Sequence, residues 1–253
     1  MKQLLSWINP KKLNSFYLST NINAIDFLFN YSNYNLINWD GLSKNINEKS
    51  VKYLNYMKWN INWANLSTNP SSIELLTNNQ NKINWFYLSK NNNAIELLTN
   101  NQNKINWDQL SLNPNAIELL TNNQNKINWN QLSLNPNAIF LLKNNPKKIN
   151  WTLLSLNPNA FELLEKNQNK INWNYLCLNE NWEIIDLAIK NDKLNWCHLS
   201  TNKSAIKLLN ENKNKINYNN LSFNYAIETS ELLKNNYSKI NWRGFSRNPH
   251  IFK

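Results

Sequence analysis

Side chains able to do chemistry are few, and their spacing does not bring them together. His198 and His250 have no carboxylate or second His at ligand or triad spacing, and Cys197 beside His198 points elsewhere because successive helical residues do not face each other. Cys177 stands in a slot that is Ser in other copies of the local pattern and reads as a buried stand-in for that Ser. The two cysteines give neither a CxxC pair nor a disulfide framework, as expected of a reducing compartment. The chain holds only two glycines, Gly41 and Gly244, so no phosphate-cradling loop or dinucleotide fingerprint is present. These observations predict no catalytic residue, no metal site, no cofactor and no enzymatic activity.

Two rows of recurring residues carry what chemistry remains. A Lys row at Lys82, Lys104, Lys126, Lys148 and Lys170 continues through Lys193, Lys215 and Lys239, and would form a basic edge able to follow a phosphate backbone. The formal charge of +11 agrees, although it partly reflects A/T-rich coding. Against nucleic acid stand the scarcity of Arg, the preferred base reader, limited to Arg243 and Arg247, and the Glu row Glu74, Glu96, Glu118 and Glu162. The second row is apolar: Phe86, Tyr87, Leu112, Leu134, Leu153, Leu156, Tyr175 and Leu178 fall where a neighbouring helix has polar residues. Either they tuck under a connection, or they form a stripe for a protein partner. A Trp row from Trp39 to Trp242 shares a helix face with leucines and reads as core rather than as a stacking platform.

All these rows belong to one phrase of 22 residues, INWDQLSLNPNAIELLTNNQNK at 105–126, which recurs almost verbatim at 83–104, 127–148 and 149–170. Asn113-Pro114 is a helix start, with Asn as N-cap and Pro at the first turn where its missing N–H is no loss. The Asn recurs in eleven copies, from Asn21 to Asn248. A helix of about ten residues is expected to follow, ending at Asn122-Asn123 with Asn replacing Gly in a left-handed position. A shorter helix starts at Asn106, where Gln109 completes a capping-box-like pair. A leucine-rich repeat fits the period too. However, its third apolar slot reads Thr20, Lys44, Thr68, Lys90 and Thr201 in five copies, which a repeat strand does not tolerate.

The predicted fold is therefore all-α: an α-solenoid of short helix pairs, about ten full units plus partial ends, in one array over 1–253. Residues 1–36 are expected to be atypical N-terminal capping units. Residues 37–239 are the repeats and 240–253 a truncated last unit. Residues 1–12 resemble the tail of a unit, and Ser15 in the Trp slot suits a unit with no preceding neighbour. No stretch approaches a membrane span or a signal peptide, so an intracellular protein is expected.

The phrase INWxxLSxNPNAIxLLxxNxxK resembles the short Asn-Pro-rich helical repeats of uncharacterised giant DNA virus proteins, over nearly the whole chain. That resemblance implies a viral source, a place in the host cytoplasm or virion, and an interaction role. It transfers no functional residues. The resulting expectation is a monomeric, non-enzymatic scaffold for an unidentified protein partner, with nucleic-acid binding or a virion-structural role as alternatives.

Overall fold

The computed structural model describes residues 3–58 and 60–252. Within them every regular element is a short α- or 3-10 helix, and the isolated contact of β type is one bridge between Leu4 and Phe252. The fold is an all-α solenoid.

One repeat shows how the residues dictate the path. Asn128 caps the helix Trp129–Leu132 by accepting a hydrogen bond from the Gln131 N–H on its Oδ1. Asn135 then opens the turn Pro136–Ala138, and the helix Ile139–Lys143 follows. The expected ten-residue helix is thus broken: Ala138 sits at φ −90, ψ 6, so a 3-10 turn precedes the α-helix. A third short element, Pro146–Lys148, leads into the next repeat, so each unit is a pair with an added turn. Among the described residues only the helices Glu48–Met57 and Trp182–Lys190 reach nine or ten residues.

The expected left-handed Asn is not found. Asn122 stays right-handed at φ −78, and Asn123 lies at φ −133, ψ 47. The physical reason is in the side chain, since Asn123 Nδ2 donates to the Leu119 carbonyl at 2.9 Å. That bond satisfies an orphan carbonyl which a left-handed turn would otherwise serve. Among the described non-glycine residues positive φ occurs at Lys58 and Asp192, just after the two long helices.

The residues group into two compact units, 88–216 and a second made of 1–87 with 217–253. Within 88–216 successive repeats are tied by one recurring set of bonds. Ser133 Oγ accepts from the Asn150 N–H at 3.0 Å and donates to the Trp129 carbonyl. Asn157 Nδ2 donates to the carbonyls of Ser133 and Asn135 at 3.1 and 2.9 Å. Between these polar tethers lie fully buried leucines such as Leu132, Leu142 and Leu154.

The other unit repeats the pattern, with Asn38 N donating to Ser19 Oγ and Asn45 Nδ2 to the Ser19 and Asn21 carbonyls. It also contains a repeat assembled from two distant segments. Residues 240–252 supply the first half, Trp242–Phe245 and Pro249–Ile251, while residues 3–12 supply the closing turn Pro10–Lys12. In place of the helix between these halves, Leu4 bridges Phe252 and the Leu5 N–H donates to the Ile251 carbonyl at 2.9 Å. Trp7 stacks on Phe245 with centroids 5.8 Å apart, and Ile8 is buried. The repeat from Leu13 therefore has a preceding neighbour, contrary to the expectation for a capping unit. Asn14 N donates to Ser246 Oγ at 2.8 Å, and Asn21 Nδ2 to the Asn248 carbonyl at 3.0 Å.

Candidate interaction surface

The short helix of each repeat has one face in the core and one outside. Leu110, Leu132, Leu154 and Leu176 are fully buried and hold the inner face. The outer row is graded: Phe86 and Tyr175 are exposed at 46% and 37%, while Tyr87, Leu112, Leu134, Leu153, Leu156 and Leu178 are half-buried. The row is therefore neither core nor a free apolar ridge.

Two contacts in the discontinuous unit show how this row is built. The Phe223 ring lies where a Cβ on Gly244 would meet it at 2.8 Å, and the Arg247 guanidinium lies 5.7 Å from the Tyr17 ring centroid. In both cases the residue before the recurring Asn meets the third residue of the next short helix. By the same repeat register Leu134 corresponds to the position facing Leu153 and Leu156 to the one facing Tyr175, whereas Leu112 corresponds to the position facing the polar Gln131. Phe140, 74% exposed on the second helix, is a further apolar side chain that the sequence pattern did not single out.

The Trp row differs from the core reading, for Trp107, Trp129 and Trp151 are only half-buried. Their rings are roofed by the Lys row: Lys126, Lys148 and Lys170 place Nζ at 4.5, 4.3 and 4.5 Å from the ring centroids of Trp107, Trp129 and Trp151. The ammonium attracts the negative face of the indole while its stem covers apolar surface. Lys82, Lys104, Lys126, Lys148 and Lys170 are all exposed residues. In the repeat at 37–60 a tyrosine takes over this role, Tyr53 lying parallel to Trp39 at 6.1 Å. Burial, together with a hydrogen bond to the Tyr34 hydroxyl, pushes the Tyr53 phenol up to about 12.

Reactive groups stay apart. Among the described residues no group of three or more His, Cys, Asp or Glu side chains converges. His198 Nδ1 is buried without a hydrogen-bond partner. Cys177 takes the Ser role, its Sγ accepting from the Asn195 N–H at 3.3 Å, and burial pushes its thiol pKa up. Glu162 lies between Lys143 and Lys166, whose ammonium groups hold its carboxyl down at about 2, Lys143 foremost. No described helix is long and apolar enough to cross a membrane.

Sequence reasoning found the Asn as an N-cap and missed its second task. Asn113, Asn135 and Asn157 each accept a local N–H on Oδ1 and donate through Nδ2 to the preceding repeat. The available signal was that Asn is never exchanged for Ser, Thr or Asp, which also cap but lack the two-hydrogen amide. The recurring Ser was missed for a similar reason. It replaces the expected reciprocal bond of a capping box, accepting the cap's own N–H, as Ser111 does from Asn128 at 3.0 Å.

Fold and surface together define a helical repeat protein with one apolar and one basic row. Comparison with protein-family models, with curated proteins and with solved structures gives no match.

Proposed function

We propose that the chain is a non-enzymatic scaffold that binds a protein partner along the row Phe86, Tyr87, Leu112, Leu134, Leu153, Leu156, Tyr175 and Leu178. The observation that carries this reading is the solvent access of Phe86 and Tyr175 in a row whose inner counterparts, Leu88 and Leu176, are fully buried. Aromatic side chains partly open to solvent, set among half-buried leucines, offer area at little conformational cost. The Lys row supports the nucleic-acid alternative less well, because several of its ammonium groups already lie over Trp rings. The resemblance of the phrase to repeats of giant DNA virus proteins supports a viral source and a site of action in the host cytoplasm or virion.

Two triple variants test the reading. Leu112→Lys with Leu134→Lys and Leu156→Lys should keep the helical circular-dichroism spectrum and lose capture of the partner in a pull-down done with and without nuclease. Lys104→Gln with Lys126→Gln and Lys148→Gln should keep capture. A folded Leu variant that still captures, beside a Lys variant that does not, would transfer the function to the basic edge.

A further inference from the structure

The repeat built from residues 240–252 and 3–12 is held together without a peptide link between its halves. Its contacts are of the kind found between covalently joined repeats elsewhere. Asn14 N donates to Ser246 Oγ, as Asn150 N does to Ser133 Oγ. Asn23 Nδ2 donates to the Pro249 carbonyl at 2.9 Å, as Asn159 Nδ2 does to that of Pro136 at 3.0 Å. Lys12 Nζ lies 5.3 Å from the Trp242 centroid, as Lys148 does over Trp129. To these the seam adds the Leu4–Phe252 bridge, the Trp7–Phe245 stack and the hydrogen bonds from Arg243 Nε and Nη2 to the Tyr17 hydroxyl.

None of these contacts depends on both sides belonging to one molecule. The two surfaces are different and complementary, so the interface is head-to-tail. We propose that the seam is an exchangeable interface between copies of this chain: residues 240–252 of one copy accept residues 3–23 of a second, and the reverse pairing completes the dimer. Exchange keeps the seam bonds but requires the repeats between the two seam surfaces to change their path in each copy, so closure within one chain is favoured in dilute solution. Within one molecule the two sides meet at an effective concentration on the order of 1 mM. Dilute chains therefore keep the seam to themselves, and concentrated refolding shares it. This inference is independent of the partner row, since it uses neither the leucines nor the Lys row of residues 82–170.

The test places one half of a disulfide on each side of the seam, in full-length chains carrying Cys197→Ser to remove the exposed thiol. One chain carries Leu4→Cys, a second of different tag length carries Phe252→Cys, and a third carries both. The double variant should form an intrachain disulfide on mild oxidation, which shows that the bridge geometry admits the bond. The two single variants, mixed in urea and refolded together, should give a mixed-length covalent dimer on a non-reducing gel. The fraction of chains in it should be about five-fold higher after refolding at about 300 µM than at about 30 µM. Mixed dimers absent or independent of concentration, while the double variant links, would overturn the proposal. A double variant that folds but does not link would overturn it as well, because the seam would then be open.

Discussion

The buried Asn of a repeat such as 127–148 carries three hydrogen bonds through one side chain, which makes its replacement costly. Asn135 is fully buried; Oδ1 accepts from Asn137 N, and Nδ2 donates to the Ser111 and Asn113 carbonyls. Asn135→Ala removes the cap and orphans two carbonyls, and should cost roughly 3 to 5 kcal/mol in urea unfolding. Asn135→Asp keeps the cap yet points carboxylate oxygen at two carbonyls. Its acid is held above the unfolded pKa, so the variant should recover stability as pH falls and lose it as pH rises through the folded pKa. An Asp variant as stable as the parent at pH 7 would refute this account of the donor. The cysteines give a second test at this scale. With Cys197 exposed and Cys177 buried, a thiol reagent should modify one thiol per native chain quickly and the second only on unfolding.

At the scale of the element, the short helix is a two-faced unit with its Trp neither inside nor free. Lys148→Gln removes the cation over Trp129 and should cost about 0.5 to 1 kcal/mol, with a change in tryptophan fluorescence. Lys147→Gln, on the exposed neighbour in the same turn, should leave fluorescence unchanged, and equal responses from the two would remove the cation–π reading. The period, the Asn-Pro start and the buried leucines could be read in the sequence because each is written in spacing. The 3-10 turn at Pro136–Ala138 and the conformation of Asn123 could not, since both depend on which carbonyl a side-chain amide reaches. The outer row could be listed by residue type, but its graded burial depends on how each side chain packs against its neighbours, which spacing does not carry.

At the scale of the whole molecule, the seam changes what a terminal position means. In an open array Trp242→Ala should cost less than Trp129→Ala, because end units fray. Here Trp242 is packed by Tyr237 and Phe245 and covered by Lys12, so its loss should match that of Trp129, roughly 2 to 4 kcal/mol each. A Trp242 variant with parental stability would overturn this account of its packing. Far-ultraviolet circular dichroism should be helical throughout. Both halves of the divided repeat were recognisable as fragments of the phrase, but their pairing was not. Nothing local to residues 3–12 names Phe252 as the partner of Leu4, and nothing local to Asn14 names Ser246, 232 positions away.

That separation also has a meaning in time. Other repeats meet their neighbours within one or two phrases of chain, so they can pack as they leave the ribosome. Residues 3–12 wait for nearly the whole chain. At about 5 to 20 residues per second, Leu4, Leu5, Trp7 and Ile8 spend on the order of 12 to 50 s without the surface that covers them. During synthesis this short apolar segment is the part of the molecule that most needs shielding, and slowing translation should raise its aggregation while leaving the interior repeats unaffected.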